Sequence, residues 1–404
     1  MININKLNYI LFSLVIILYP INYKFAFFFR PSDILICILM LSFLLFYKLT
    51  FDYLFFLLLS FLFIFISTFL SYSNFSDNDF INYVFIYKIF SIVLIIACID
   101  HFSKIKWDKF IHKALFALFI FQILWVFIYG ILIKLGLDGN VRVSFIFSNL
   151  EDRRMSDAHL YGNLLALSLI FYLMFWKEYF NINYIYTVII ILLTCAAVLM
   201  TGSKNPLLII LIYFCFIYIP IFIRKTLITD LLKTFIILIF FYLLFKNQII
   251  DIINFTLNYL EGTRYQALLN RIYYGIVSPA GDDSYSGRIK NFYLAISFTE
   301  YSFGIFGRGL NSTFRYFDGF LSIIIALGGF IFVLLFIFFT AFHFIKLINT
   351  YQNYEIFKKY LIFLSLVLIS IFITEFIFIT RWMIPVVSML ILLYLECFKI
   401  SLNK

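Results

Sequence analysis

Charge is scarce in this chain. Only 13% of its 404 residues are Asp, Glu, Lys or Arg, against about a quarter in a soluble domain. So few charges cannot clothe a water-facing surface of this size. Cysteine is scarce as well. Cys37, Cys98, Cys195, Cys215 and Cys397 fall inside or at the ends of apolar blocks, with no metal-type spacing. That pattern excludes a disulfide framework and leaves small core hydrophobes. Strict apolar–polar alternation over about ten residues, the mark of a membrane barrel strand, is missing from runs such as Val188–Met200 and Leu207–Ile223. No small-residue cleavage site follows Met1-Ile-Asn-Ile-Asn-Lys6, so no removable signal peptide is expected. No internal repeat is visible.

What the chain has is apolar length. Hydrophobic residues make up 64% of it, gathered in blocks of the ~20 residues that cross a bilayer as a helix. Lipid offers no hydrogen-bond partners, so such blocks must be helical if they are not barrel strands. The expectation is an all-α polytopic membrane protein in a single integral membrane domain, 1–404. Twelve spans are predicted, at roughly 7–22, 33–47, 51–71, 80–99, 114–135, 159–176, 183–200, 205–223, 231–250, 318–345, 357–376 and 382–398. Two connections are long, 136–158 and 251–317. The 57 Phe and 29 Tyr are read as a codon-usage bias, not a functional signal.

Short lysine-rich loops mark the cytoplasmic side. They are 100–113, with Lys104, Lys106, Lys109 and Lys113; 224–233, with Arg224, Lys225 and Lys233; and 346–359, with Lys346, Lys358 and Lys359. The opposite loop 72–79 carries only Asp77 and Asp79. Both termini are therefore placed inside and both long segments outside. Ten of the eleven arginines then fall outside, including Arg142, Arg153, Arg154, Arg264, Arg271, Arg288 and Arg308. Positive-inside sorting counts Lys and Arg alike, so it does not explain that bias. A planar fork suits phosphate or carboxylate, and pyrophosphate-linked lipid is one such ligand. Pairing with nearby Asp or Glu is the alternative.

In the long outer segment, Tyr265, Leu268, Leu269, Ile272 and Ile276 recur at helical spacing, with Arg264 and Arg271 beside that stripe. The breaker cluster Ser278-Pro-Ala-Gly-Asp-Asp-Ser284 follows, then Ser286-Gly-Arg288 and Phe303-Gly-Ile-Phe-Gly-Arg-Gly309. The three glycines of the last block permit a tight turn or close backbone approach to a ligand.

These blocks carry a resemblance. Thr201-Gly-Ser-Lys204 is similar to a Thr-x-Ser-Arg block of the O-antigen polymerase and O-antigen ligase superfamily, with Lys204 where the family has Arg. Ser286-Gly-Arg288 and Phe306-Gly-Arg-Gly309 resemble the Gly-Arg and Gly-x-Gly elements of its large periplasmic loop. Asp318-Gly-Phe-Leu321, leading to Gly328-Gly329, resembles a third block, in which ligases carry His and many polymerases Asp. Segment 152–166, with His159 and Asn163, resembles a block that opens a span. The matches cover about a third of the chain, and their order carries more than any one of them.

The resemblance implies a GT-C-like helical fold in the bacterial inner membrane, with 251–317 as the periplasmic loop. It implies transfer of one undecaprenyl-pyrophosphate-linked glycan onto a sugar hydroxyl of another, with undecaprenyl pyrophosphate leaving. The activity expected is an O-antigen polymerase in lipopolysaccharide biosynthesis. An O-antigen ligase and a lipid-linked oligosaccharide flippase are the alternatives. A flippase would show two related halves and ionisable residues deep in its spans. Lys88 is the clearest buried lysine, with Lys134 and Lys246 near span ends. No cofactor, metal or nucleic acid is expected. The expected partners are the lipid-linked oligosaccharide, the bilayer and a chain-length regulator.

Candidate roles follow. Arg288 and Lys204 would bind pyrophosphate, with Arg264, Arg271, Arg308 and Arg142 as further substrate-binding cations. An ion pair with Asp282 or Asp283 is the alternative for Arg288. Asp318 would take the proton of the acceptor hydroxyl, or simply cap a helix; Glu375 and Glu261 stand in reserve. His159 would shuttle protons or bind sugar, or make a polar surface contact. The other histidines, His101, His112 and His343, are placed at cytoplasmic loops or helix ends.

Overall fold

The structure, a computed structural model, describes residues 4–18, 31–46, 51–72, 108–135, 156–218, 250–259, 283–309, 320–350, 354–373 and 383–397, with isolated positions between 94 and 101, 244 and 248, and 266 and 273. Among the described residues every regular element is helical and none is a strand. The helices are α1 (Ile4–Leu18), α2 (Pro31–Phe46), α3 (Phe51–Tyr72), α4 (Asp108–Lys134), α5 (Ser156–Phe171), α6 (Tyr184–Met200), α7 (Lys204–Tyr218), α8 (Asp283–Ser297), α9 (Phe320–Thr350), α10 (Tyr354–Ile373) and α11 (Met383–Glu396). The predicted spans at 80–99 and 231–250 lie almost wholly outside the described residues.

α5 is the hub. Every described side chain from Tyr161 to Tyr172 is buried, and α4, α6, α7, α10 and α11 all pack against it. A helix apolar on every face needs neighbours on every face. Its polar exceptions, Asn163 and Ser168, are buried too. The helix then widens into a π turn at Tyr172–Trp176, followed by one α turn, Lys177–Tyr179.

That π turn explains a departure from the sequence reading of 100–113 as a loop. α4 starts at Asp108, and His112 is fully buried within it. The Trp176 indole N–H donates to His112 Nδ1 at 3.2 Å, while the imidazole stacks on Phe175 and packs against Tyr179. A tryptophan donor at Nδ1 selects the tautomer with its proton on Nε2. The nearby lysines hid this helical turn, because a lysine-rich stretch reads equally as a loop or as a helix reaching beyond a bilayer.

Several helices expose large apolar side chains. Phe65 and Phe69 on α3, Leu124, Ile128 and Ile131 on α4, Leu192 on α6, and Leu334 and Phe338 on α9 are all exposed. By length and composition Lys109–Leu132 could cross a membrane, and shorter apolar helices occur at Lys6–Leu18, Tyr184–Met200, Asn205–Phe214, Ile324–Leu335 and Ile384–Glu396. The cysteines divide: Cys98 and Cys397 are buried, Cys195 is partly buried, and Cys37 is exposed on α2, contrary to the core role expected of it.

The predicted span at 318–345 falls within α9, Phe320–Thr350, which carries a kink that the sequence reading did not foresee. Gly329, at φ 71° and ψ −168°, breaks α9 internally. Only glycine takes that backbone region without a steric penalty. The Gly328-Gly329 pair therefore divides α9 into a short upper helix and a longer lower one.

Candidate functional site

Two of the blocks that carry the resemblance meet at the start of α5. α6 ends at Thr201, whose hydroxyl donates to Val198 O at 2.7 Å, and Gly202 follows at φ 64°. A left-handed glycine after a helix closes the last turn and reverses the chain. Lys204 is then the first residue of α7, and Pro206 lies in its first turn, where a missing N–H is tolerated. A side chain at Gly162 would collide with Pro206 and the Thr201 hydroxyl. The missing Cβ thus lets α5 come flush against the α6–α7 turn. His159 stands in the first turn of α5, so the His159–Asn163 block and Thr201-Gly-Ser-Lys204 share one corner. That corner holds four buried polar residues, Asn163, Thr201, Ser203 and Asn205. Tyr161 fixes α5 to α4 through its hydroxyl, which donates to Gln122 O at 2.8 Å.

The other two blocks meet at the break in α9. Ser286-Gly-Arg288 is not loop, as its place in the long connection suggested, but the opening turns of α8. An acid at the first position suits a helix N-terminus. Phe292, Ala295 and Phe298 then turn toward the core, and α8 packs on α9. After a 3₁₀ turn at Glu300–Ser302, the chain runs along the break. The Arg308 N–H donates to Ala326 O at 2.7 Å, and the Phe330 N–H donates to Gly304 O at 3.0 Å. Both lips of the broken helix are thereby satisfied by Phe303–Gly309.

The glycines of this block have a packing role. A Cβ on Gly307 would meet the carbonyls of Ile325 and Ala326, and one on Gly309 would meet Thr68 of α3. Close backbone approach is realised here toward α9 and α3. The Arg308 guanidinium carbon sits 3.9 Å from the centre of the Phe298 ring, a cation–π contact. Tyr301 donates to Gly307 O. Burial pushes the Tyr301 phenol up to about 12, partly opposed by the Arg308 charge, so the phenol remains a donor at physiological pH. The sequence pointed to Arg308 but held no sign of Phe298, Tyr301 or Ser302 as its framework.

Asp318, Arg142, Arg264 and Arg271 lie outside the described residues, as do Arg153, Arg154, Glu261, Glu375, Lys88 and Lys246. Among the described residues no group of His, Cys, Asp and Glu is placed to hold a metal. No family model, curated protein or solved structure matches this chain.

Proposed function

We propose that the chain is an O-antigen polymerase, a twelve-span glycosyltransferase of the bacterial inner membrane with both termini in the cytoplasm. The observation that carries this reading is the corner at Gly162, where two sequence blocks some forty residues apart join around buried polar groups. The pairing of Phe306-Gly-Arg-Gly309 with Gly328-Gly329 adds to it. Outward-facing Leu, Ile and Phe support the membrane part, since a soluble helix turns polar residues outward.

In this reading the acceptor is a sugar hydroxyl on one undecaprenyl-pyrophosphate-linked glycan. Asp318 takes its proton, and the oxygen attacks the anomeric carbon of the other glycan. The bond from that carbon to pyrophosphate breaks, and pyrophosphate leaves with the electron pair. Arg288 and Lys204, with Arg142, Arg264, Arg271 and Arg308 as further cations, stabilise the charge as it develops. His159, at the same corner as Lys204, serves the proton transfer or the sugar.

Lipopolysaccharide from a deletion strain, resolved on a gel, tests the reading. A polymerase defect leaves a single repeat unit and removes the ladder. Loss of all O-antigen would instead assign the chain as a ligase or a flippase.

A further inference from the structure

We propose that Phe303–Gly309 is a re-entrant segment seated in the outer leaflet, with Phe303 and Ile305 held against phospholipid acyl chains. The inference rests on the membrane-spanning part of the proposed function and is independent of the reaction. Phe303 is 97% exposed and stands at φ 54°, ψ 34°. A bulky residue seldom takes that left-handed region, which favours Gly or Asn. An aqueous loop would gain from either substitution. An aromatic ring kept in a strained, wholly exposed position points to a surface that receives it.

The backbone of the segment is fitted for lipid, where unpaired amides and carbonyls are costly. The N–H groups of Phe303, Gly304 and Ile305 donate to Glu300 O, Thr299 O and Ser302 O. The Phe306 N–H donates to Ser302 Oγ, and the Arg308 N–H to Ala326 O. The carbonyls of Gly304, Ile305, Phe306 and Gly307 accept from the Phe330 N–H, the Ile331 N–H, the Ser302 hydroxyl, whose one proton Phe306 O shares with Thr299 O, and the Tyr301 hydroxyl. Four consecutive carbonyls in irregular chain thus have partners inside the protein.

Depth agrees. Gly304 lies against Phe330, the first residue of the lower part of α9. Lys346 stands sixteen residues further along the helix, about 24 Å at ~1.5 Å per residue. A hydrocarbon core of about 30 Å with Lys346 at its inner edge keeps Phe330, and Gly304 with it, below the outer boundary. Phe330, Leu334, Ile337 and Phe338 recur at helical spacing on α9 and are exposed, as are Phe303 and Ile305, which flank the Gly304 that lies against Phe330. Glu300, three residues before Phe303, is exposed and marks the side turned to water.

The test is depth-dependent quenching on the full chain in phosphatidylethanolamine–phosphatidylglycerol vesicles. Single cysteines at Phe303, Glu300 and Ile128 of α4, in a background with the five native cysteines replaced, carry a bimane label. The expected result is at least twofold quenching at Phe303→Cys and Ile128→Cys by doxyl-labelled phospholipid, with Glu300→Cys quenched only by aqueous iodide. Iodide quenching at Phe303→Cys with lipid quenching retained at Ile128→Cys would overturn the anchor and leave the spanning reading standing. Loss of lipid quenching at both would remove the spanning reading too. A change at Phe303→Cys only on adding undecaprenyl phosphate would overturn the phospholipid contact in favour of a substrate chain. Should the cysteine-free chain fail to fold, Phe303→Trp compared with the wild-type chain and its four tryptophans in brominated-lipid vesicles separates the same outcomes.

Discussion

At the scale of the single residue, arginine chemistry separates a binding role from a packing one. Arg308 is held by its own backbone N–H against α9 and by its guanidinium over Phe298, so it has structural work whatever else it does. Arg288 stands in the second turn of α8, where helix formation asks nothing of a guanidinium in particular. Arg288→Ala should abolish the lipopolysaccharide ladder while membrane levels of the protein stay at wild type. Arg288→Lys should restore little, because a point charge lacks the planar fork. A normal ladder from Arg288→Ala removes this residue from pyrophosphate binding. Asp318 calls for a different separation, charge against capping. Asn keeps the cap and loses the base. The expected result is that Asp318→Asn and Asp318→Ser both fold and both lose polymerisation; full-length ladders from Asp318→Asn would make the residue a cap.

At the scale of elements, much of the helical layout was legible, and the reason is apolar length. Block boundaries at 51–71 and 183–200 agree closely with Phe51–Tyr72 and Tyr184–Met200, because a Gly202 stop or a polar flank ends each block. The break in α9 was not legible as a break. Gly328-Gly329 within an apolar run reads as a costly but tolerated helix interior, and only the partner segment, some twenty residues earlier, shows why it opens. The glycines of Phe306-Gly-Arg-Gly309 were visible as a signal of close approach, but the sequence could not say that the approached surface is the protein itself. A stability prediction follows from that contact. Gly307→Ala forces a methyl group onto the Ile325 and Ala326 carbonyls, with no flexible side chain to give way. It should cost roughly 1–3 kcal/mol, read as a lowered thermal midpoint in detergent and lost membrane protein. Gly130→Ala should cost less, because the group it meets is the end of the Met200 side chain. Equal destabilisation by the two would mean that α9 and the Gly307 segment are not packed as the structure has them.

At the scale of the whole molecule, sidedness joins the sequence to the site. Three contacts fix which helix ends lie together. Trp176 meets His112, Glu178 pairs with Lys359 at 3.2 Å, and Gly162 meets Thr201 and Pro206. The first two join the end of the α5 stretch to the starts of α4 and α10; the third joins the start of α5 to the α6–α7 turn. One face of the bundle therefore carries Lys109, Lys113, Lys177, Lys358 and Lys359, and the opposite face carries the polar corner with Lys204. The charge rule assigns the first face to the cytoplasm, and under the proposed function a lipid-linked donor would have to reach the second. A maleimide that cannot cross the inner membrane should label a cysteine placed at Ser203 or Glu300 only if these lie on the periplasmic side. One placed at Lys177 or Lys358 should react only after the membrane is opened. The opposite pattern would turn the molecule over, put the corner in the cytoplasm and end the polymerase reading, since its glycans are joined outside. Labelling at Glu300 without labelling at Ser203 would point elsewhere: the outer face would stand, with Ser203, which is buried, closed to the probe by its own packing.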